Sequence, residues 1–548
     1  MRRMQIEGMT CERCNETVAE ALAAAGAEKV RADFSRGKAT FEPAEASEAA
    51  LTGAVEAAGY RVIGIEDAEA RAEGPVHRRG PAPRSEYDLI VVGSGSAAFA
   101  AAIRAKDLGA SVGLCEANTV GGTCVNIGCV PSKAMLAAAD LYHRAGHNPF
   151  AGAPTSAGTV DLTALVAAKD ELIDRLRYDK YEHLAEVYGF TLLCGYGEFT
   201  GPDTFACDGH ELRADHYLVA TGASPAVPAI PGLEDAGYLT STTALALTDL
   251  PGSIAVIGAN AIGLELGQLF AHLGSRVTFL EALPRIAPFE EAEISFAFSE
   301  VLRDEGAHVH TGVTITAVRR AGERRVVVFD ADGVSHELEV DQVLVATGRR
   351  PNTRALGLER GGVALTERGA VRVDEFLATS NPRIWAAGDV TGAPQFVYVA
   401  AAQGTVAADN AIGGAGRTVD FTALPRVTFT SPQIAAAGMT EEEAVKAGHR
   451  IDSRVLHLDA VPRALVNRDT RGLFKLVAEE GTGRLLGVHV LADSAGEVIA
   501  AAVHALKARM TVKELAETWA PYLTMAEGLK LAAQTFTRDV SQLSCCAA

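Results

Sequence analysis

Short apolar runs that end in glycine-rich turns recur along this chain. Residues 87–92 form one such run, and its continuous apolar character predicts a strand buried in a parallel sheet. The run leads into GSGSAA, residues 93–98, and then into a helical stretch that ends near residue 108. Residues 254–257 lead in the same way into GANAIG, residues 258–263. The repeated pattern predicts an α/β fold with two nested Rossmann-like domains.

The two glycine loops contain the residues that a dinucleotide requires. Gly93 makes the tight turn, Gly95 lets the backbone approach a pyrophosphate, and Ala98 is small enough for the helix to pack on the strand. Gly258 and Gly263 occupy the corresponding places in the second loop.

A carboxylate follows each loop at the same spacing. The first glycine of each loop precedes it by 23 residues (116 − 93 and 281 − 258), which places Glu116 and Glu281 for a ribose hydroxyl. Two later apolar runs also end in glycine, at Thr221-Gly222 and at Gly348. These repeated strand ends predict that the first domain is split around the second.

Hydrophobic periodicity predicts further units at both ends of the chain. Strand-like runs at 4–7, 29–33, 38–42 and 60–65 alternate with helical stretches at 12–25 and 47–58, a βαββαβ order that matches the ferredoxin-like fold. Strands and helices without a glycine loop fill residues 420 to 540. The predicted boundaries are a ferredoxin-like domain at 1–66, a proline-containing linker at 67–86, the first nucleotide domain at 87–225 and 351–420, the second at 226–350, an α+β domain at 421–540 and a tail at 541–548.

Length and composition narrow the class of protein. A chain of 548 residues is too long for one core, and its 48% hydrophobic and 22% charged residues are ordinary for a globular protein. The net charge of −19 argues against nucleic acid and acidic membrane surfaces as partners. No apolar run approaches the roughly 20 residues that cross a bilayer, and the N-terminus lacks a signal-peptide pattern. We therefore expect a cytoplasmic protein without membrane insertion.

Six of the nine cysteines fall into close pairs, which are Cys11/Cys14, Cys124/Cys129 and Cys545/Cys546. In a reducing compartment such pairs indicate redox or soft-metal sites. The middle pair lies in GGTCVNIGCVPSK, residues 121–133, one βαβ unit beyond the first glycine loop, which suggests a redox-active dithiol against a flavin. An ordinary disulfide or a zinc half-site is the alternative. The unpaired cysteines lie in apolar contexts and are expected to fill the core; they are Cys115, Cys194 and Cys207.

The glycine loop and the middle cysteine pair together resemble the flavin disulfide reductases, the family of dihydrolipoamide dehydrogenase and glutathione reductase. The resemblance implies FAD on the first nucleotide domain, NADPH or NADH on the second, and a two-fold homodimer formed through 421–540. It also implies that Asp389, in IWAAGDV, bonds the ribityl chain of the flavin. Lys133 would lie near the reactive face of the flavin and pair with Glu265, two unrelated surface charges being the alternative. The matched cofactor-binding residues are Gly93, Gly95, Ala98, Glu116, Gly122, Thr123, Lys133, Thr221, Gly222, Gly258, Gly263, Glu265, Glu281, Arg285, Gly348, Gly388 and Asp389.

The first cysteine pair lies in GMTCERC, residues 8–14, where the first predicted strand gives way to the first helix. Thiolates near a helix N-terminus are favoured by the helix dipole, so both can deprotonate near neutral pH and bind a soft cation. This loop resembles the heavy-metal-associated domains of copper chaperones and metal pumps. A thioredoxin-type site also has C-x-x-C, but it needs a longer fold.

The chain departs from the disulfide reductases near its end. Those enzymes carry a His-Pro-Thr-x-x-Glu-like element whose histidine protonates the leaving thiol. Tyr522 occupies the histidine position here, whereas Glu527 is kept. A phenol with a pKa near 10 is a poor proton shuttle at neutral pH, so disulfide reduction is disfavoured. A soft cation needs thiols but no proton shuttle.

With three cysteine pairs and this tyrosine, residues 4–548 resemble the branch of the family that reduces Hg(II) to Hg(0). The resemblance implies Hg(II)–thiol complexes as substrate. Cys545 and Cys546 of the opposite subunit would receive the metal from the first pair or from solution thiols and pass it to the middle pair. Tyr181, in KYE, would lie beside the metal. The alternatives are a disulfide reductase with accessory metal-binding ends and an inactive metal carrier or sensor.

Sequence chemistry and resemblance differ on the nicotinamide cofactor. The resemblance implies NADPH, whose 2′-phosphate needs cationic partners. Glu281 instead suits the free 2′-hydroxyl of NADH, and Arg285, four residues later, could swing to offset that carboxylate. The residues therefore favour NADH.

Overall fold

The computed structural model describes residues 2–7, 12–33, 38–42, 47–67 and 86–538. It divides the chain into two compact units, residues 1–83 and residues 84–548. Among the described residues, none of the helices is long and apolar enough to cross a membrane.

The first unit confirms the predicted βαββαβ order. Its elements are β1 (Arg2–Glu7), α1 (Glu12–Ala24), β2 (Glu28–Asp33), β3 (Lys38–Glu42), α2 (Glu48–Ala57) and β4 (Arg61–Asp67). The strands pair in the order β2-β3-β1-β4, with antiparallel neighbours. Met4 and Ile6 alternate along β1 and are buried with Val18, Leu22 and Phe41, because one face of the sheet packs against both helices.

The second unit begins with the first predicted strand–loop–helix unit. The elements up to residue 225 are β5 (Tyr87–Val92), α3 (Ser96–Asp107), β6 (Val112–Glu116), α4 (Gly122–Ile127), α5 (Cys129–Gly146), α6 (Leu162–Arg177), a π-helical turn (Tyr178–Glu182), α7 (His183–Tyr188), β7 (Thr191–Cys194), β8 (Gly197–Gly201), β9 (Thr204–Cys207), β10 (His210–Leu212), β11 (Ala214–Val219) and β12 (Ala223–Pro225). Strands β8, β9 and β10 form an antiparallel meander.

The second nucleotide-binding fold follows. Its elements are α8 (Leu233–Ala236), α9 (Ser241–Ala244), β13 (Ser253–Ile257), α10 (Ala261–Leu273), β14 (Arg276–Glu281), α11 (Ala292–Asp304), β15 (His308–Thr311), β16 (Thr314–Ala321), β17 (Arg324–Ala331), β18 (Val334–Val340), β19 (Gln342–Val345) and β20 (Arg349–Pro351). Strands β15-β14-β13-β19 form a parallel sheet, and β16-β17-β18 an antiparallel meander.

The chain then returns to the first sheet through β21 (Ile384–Ala386) and α12 (Val397–Gly413). Strand β21 pairs in parallel with β11, which gives a five-stranded sheet in the order β21-β11-β5-β6-β7. The first domain is therefore nested around the second.

The remaining residues form an α+β layer. Its elements are β22 (Pro425–Thr428), β23 (Gln433–Gly438), α13 (Glu441–Lys446), β24 (Ile451–His457), α14 (Pro462–Asn467), β25 (Leu473–Glu479), β26 (Leu485–Ala492), α15 (Ala495–Lys507), α16 (Val512–Glu517) and α17 (Glu527–Gln534). The strands form an antiparallel sheet, β22-β23-β26-β25-β24, and the apolar faces of α15, α16 and α17 are buried in its core. Lys475 points to the opposite face of β25, where it is buried and binds Glu291 and Glu293 of the second nucleotide-binding fold.

Candidate active site

Two helix starts position the middle cysteine pair. Helix α4 begins after Gly121, which has a left-handed backbone, and α5 begins at Cys129 itself. Pro131 fits the first turn of α5 because no intrahelical donor is needed there. Cys124 is half-buried, Cys129 is exposed, and both thiols are free.

The two thiols differ in acidity. The pKa of Cys129 is lowered to about 7, chiefly by a hydrogen bond from the Cys124 thiol and further by the charge of Lys133, whereas burial opposes the shift. That same hydrogen bond, together with burial, raises the pKa of Cys124. The N-terminus of α5 also favours an anion at Cys129. The first proton lost near neutral pH therefore leaves a thiolate on Cys129.

The predicted ion pair next to the dithiol is present. Lys133 Nζ lies 2.7 Å from Glu265 Oε2, which joins α5 to α10 of the second nucleotide-binding fold. Glu265 is buried and accepts a second hydrogen bond from the Phe429 amide at 2.9 Å. The Phe429 ring also lies under the Lys133 ammonium, 4.6 Å from ring centroid to nitrogen. Sequence reasoning missed Phe429, since no local pattern marks it.

The first glycine loop forms a narrow cradle beside the dithiol. A Cβ atom on Gly122 would lie 2.6 Å from the Gly95 Cα, so only glycine permits this approach of the two backbones. Ser94 bridges the loops, since its hydroxyl donates to Glu116 and accepts from the Gly121 amide. Helix α3 begins after Gly95 without a side-chain cap, and Ala98 is fully buried against the sheet. Free amides at this helix start suit a pyrophosphate, so the cradle fits FAD.

Strands β5, β11 and β21 are parallel, so the residues that follow β11 and β21 lie at the same edge of the sheet as the cradle that follows β5. Arg349 Nε lies 3.8 Å from Asp389 Oδ2, and burial raises the pKa of Asp389 in spite of this cation. The Gly388 amide donates to Gln403, and Thr221 donates its hydroxyl to the carbonyl of residue 352. Asp389 is thus held in place by its neighbours, with 22% of its side chain accessible.

The second glycine loop brings helix α10 close to strand β13. A Cβ atom on Gly263 would lie 1.9 Å from the Gly258 carbonyl oxygen, so helix α10 can approach β13 only with glycine there. Glu281 is buried and accepts the amides of Ala259 at 2.7 Å and Leu283 at 2.8 Å. The loop therefore fits a nicotinamide dinucleotide, with the carboxylate at the expected strand end.

The Arg285 side chain is already hydrogen-bonded to backbone carbonyls. Its Nη2 donates to the carbonyls of Pro288 at 3.1 Å and Glu290 at 3.0 Å. A swing toward a 2′-phosphate would break both hydrogen bonds. The structure thus makes the predicted offset by Arg285 more costly than the sequence implied.

Tyr181 lies in the π-helical turn between α6 and α7. Its ring packs edge-on against Phe99, with 4.8 Å between centroids. Burial raises its pKa, and the nearby thiols of Cys124 and Cys129 add to that shift. Tyr181 therefore lies near the dithiol. π-Helical turns are rare and often mark functional sites.

Tyr522 lies on the α+β layer, between α16 and α17, and remains 48% exposed. Glu527, which opens α17, is buried and accepts a hydrogen bond from the Leu523 amide at 3.2 Å.

The outer two cysteine pairs lie largely outside the part of the chain that the structure describes. Cys11, Cys545 and Cys546 are outside the described residues, and for Cys14 only its place in α1 is described.

One cluster of the described residues contains three groups that could bind a metal ion: His143, His272 and Glu305, with ligand atoms within 4.8 Å of one another. The two imidazoles are stacked at 4.0 Å with only 12° between their planes. Parallel rings direct their lone pairs side by side rather than toward one point. Arg471, 2.8 Å from Glu305, already neutralises the carboxylate. This cluster is therefore a buried ion-pair network.

Comparison with known families matches three parts of the chain. Residues 87–404 match the pyridine nucleotide-disulphide oxidoreductases, and residues 424–533 match the dimerisation domain of the same family. Residues 3–61 match the heavy-metal-associated domain. The chain belongs to the pyridine nucleotide-disulphide oxidoreductase family.

Relatives narrow the class further. A mercuric reductase of Staphylococcus aureus is 48% identical over 545 residues, covering 100% of this chain and 99% of the relative. A mercuric reductase of Streptomyces lividans is 54% identical over 467 residues, covering 84% of this chain and 98% of the relative. A structural relative is the Cu(II) complex of the HOCl-induced flavoprotein disulfide reductase RclA from Escherichia coli. It is 30% identical, with a TM-score of 0.75, and the match covers 83% of this chain and 100% of that chain. Within its class the chain belongs with the mercuric reductases.

Proposed function

We propose that this chain reduces Hg(II) to Hg(0) with electrons from NADPH or NADH, with FAD as the intermediate carrier. The observation that carries the proposal is the pair of free cysteines, Cys124 and Cys129, in two successive helices beside the Lys133–Glu265 ion pair. The pKa of Cys129 is lowered and that of Cys124 is raised, so the two thiols are unequal. Such a pair can capture a soft cation in two successive ligand exchanges. Tyr522, in place of an acid–base histidine, leaves the site poorly equipped to protonate a leaving thiol.

The chain's own residues fit both cofactors. The cradle of Gly93, Gly95 and Gly122, with Glu116 beyond it, would hold FAD, and Asp389 would bond its ribityl chain. The loop of residues 258–263 with Glu281 would hold the nicotinamide dinucleotide. FAD, when bound, supplies the two-electron transfer between nicotinamide and metal. The Lys133–Glu265 pair links the two nucleotide-binding folds at the point where both cofactors must meet.

Metal capture follows from the acidity of the two thiols. The Cys129 thiolate displaces one thiolate ligand of the incoming Hg(II) complex. Cys124 displaces the second ligand, and its proton leaves with that outgoing thiolate. Tyr181 lies near both cysteines and is suited to stabilise the bound metal through its hydroxyl. Two electrons then convert the bound Hg(II) to Hg(0), which both sulfurs release.

Delivery of the metal requires a second subunit. We place Tyr522 and the terminal pair Cys545/Cys546 at the dithiol of the opposite protomer in a homodimer. Two observations support this arrangement: residues 424–533 match a dimerisation domain, and Tyr522 is half-exposed in the single chain. Cys11 and Cys14 would supply metal to the terminal pair, and the reaction would take place in the cytoplasm.

An anaerobic assay of NADPH or NADH consumption tests the function. Hg(II) with excess thiol should drive rapid consumption, whereas oxidised glutathione and lipoamide should leave the rate near background. A Cys194→Ala variant is a suitable control, because this cysteine lies on β7, outside the three close pairs. It is exposed, so the prediction that it fills the core was wrong. Rapid turnover of either disulfide with no response to Hg(II) would instead establish the rival function of a disulfide reductase.

A further inference from the structure

The fold brings together two cysteines that no local sequence pattern pairs. Cys115, in β6, and Cys207, at the end of β9, are 92 residues apart, yet their sulfurs lie 3.0 Å from each other. Both are buried, with 2% and 6% of their surface exposed. They lie in a core with Phe199, Phe205 and Tyr217, where the meander packs on the five-stranded sheet. They are core residues, as predicted, but they are also neighbours.

The surroundings of this pair differ from those of the active-site dithiol. Burial raises the pKa of Cys115, and the carboxylates of Glu116 and Asp208 add to the shift. Lys133, by contrast, lowers the pKa of Cys129. Low-pKa thiolates make a cysteine pair easy to reduce, and the pKa of Cys115 is shifted in the opposite direction. Its chemistry is that of a structural pair.

The distance between the two sulfurs distinguishes a metal bridge from a disulfide. A linear metal bridge would separate the sulfurs by about 4.6 Å even with metal–sulfur bonds of roughly 2.3 Å, as in zinc sites. That would push the two strands apart in a core where Phe199, Phe205 and Tyr217 are fully buried. A disulfide has an S–S length of about 2.0 Å, so the sulfurs need only approach by about 1 Å.

We propose that Cys115 and Cys207 form a second, structural disulfide that joins β6 to the meander. The S–S bond forms as two S–H bonds break, and the two electrons pass to a low-molecular-weight disulfide. One cysteine attacks that disulfide and releases one thiol; the other cysteine then attacks the mixed disulfide and releases the second thiol. Because both sulfurs are buried in the folded chain, the exchange takes place when β9 opens transiently from β6.

The proposed bond would support the active site from a distance. The loop that it closes contains both active-site cysteines, Lys133 and Tyr181. Strand β6 itself ends in Glu116, which Ser94 connects to the flavin cradle. Closing a loop of this length lowers the entropy of the unfolded chain and so stabilises this segment.

Differential alkylation of the full-length flavoprotein tests the proposal. The holoenzyme is incubated with oxidised glutathione and denatured in a first alkylating reagent; after reduction, an isotopically distinct second reagent is added. Peptide mass spectrometry should find the second label on Cys115 and Cys207. A digest made before reduction should contain their two peptides cross-linked to each other, whereas Cys194, the exposed control on the neighbouring strand, should carry the first label or glutathione. In a Cys207→Ala variant, Cys115 should carry the first label instead.

The active-site pair gives an internal comparison in the same experiment. Treatment with NADPH before alkylation should move Cys124 and Cys129 to the first label and leave Cys115 and Cys207 with the second. First label on both Cys115 and Cys207 after prolonged exposure to oxidised glutathione would overturn the proposal. A Cys115–glutathione adduct in place of the cross-linked peptide would overturn it equally, because the two sulfurs would then not react with each other.

Discussion

Replacing Lys133 with methionine should weaken the nucleophile of the active site without altering its fold. The Lys133 ammonium lowers the pKa of Cys129, which is about 7. Its partner Glu265 acts on that pKa in the opposite direction. Lys133→Met should therefore raise the pKa of Cys129, and Glu265→Gln should lower it.

The size of the effect follows from the fraction of thiolate. With a pKa of about 7, roughly half of Cys129 is ionised at pH 7. Loss of a nearby opposite charge typically raises such a pKa by about one unit or more, which leaves about one tenth as thiolate. Reactions of the thiolate should then slow about fivefold at pH 7 and reach the parent rate above about pH 9.

The assay is the rate at which iodoacetamide alkylates Cys129 in the NADPH-reduced enzyme, followed from pH 5 to pH 10 by peptide mass spectrometry. Lys513→Met is a matched control, since this lysine is 79% exposed and lies on α16 of the α+β layer. Its pH profile should coincide with that of the parent. A Lys133→Met profile that also coincides, or a Glu265→Gln profile that moves to higher pH, would refute this account of Cys129.

Three further predictions concern turnover. Cys129→Ala should retain FAD but lose mercury turnover and the long-wavelength absorption that a thiolate gives against an oxidised flavin in the two-electron-reduced enzyme. Cys545→Ala with Cys546→Ala should impair turnover of Hg(II) held by bulky thiols much more than deletion of residues 1–66 does, because the tail delivers metal and the first domain only supplies it. NADH should be accepted and preferred, because Glu281 suits a free 2′-hydroxyl and repels a 2′-phosphate; kcat/KM for NADH and NADPH at saturating Hg(II) measures this.

Each of these predictions has a contrary result. Parent-level reduction of Hg(II) by Cys129→Ala would remove that residue from the reaction. Activity that is lost with residues 1–66 but unaffected in the tail variant would reverse the order of the metal relay. A kcat/KM ratio above about tenfold in favour of NADPH, roughly 1.4 kcal/mol, would mean that a cation such as Arg285 outweighs Glu281.

The parts of the fold that follow from local pattern could be predicted from sequence. Continuous apolar runs that end in glycine mark β5 and β13, and alternation marks the strands of the first unit, because burial of a sheet imposes these patterns on the residues themselves. Glu116 and Glu281 were found by their spacing from the loops. Their hydrogen bonds to loop residues Ser94 and Ala259 fit that reasoning.

Other features depend on packing between distant segments. Phe429 reaches the Lys133–Glu265 pair from the α+β layer, and Cys115 meets Cys207 only after the meander folds onto the sheet. No local pattern encodes either contact. The Lys133–Glu265 pair itself spans 132 residues and was expected only through the family resemblance, since neither residue is unusual in its own helix.

The most direct test of the proposed function is the stoichiometry of the products. NADPH is added anaerobically to the enzyme with Hg(II) and excess thiol, and mercury vapour is collected while NADPH oxidation is followed. If this chain reduces Hg(II) as proposed, one Hg(0) is released for each NADPH oxidised, and the Cys129→Ala variant releases no vapour. NADPH oxidation without mercury vapour, or vapour at the parent yield from that variant, would contradict it.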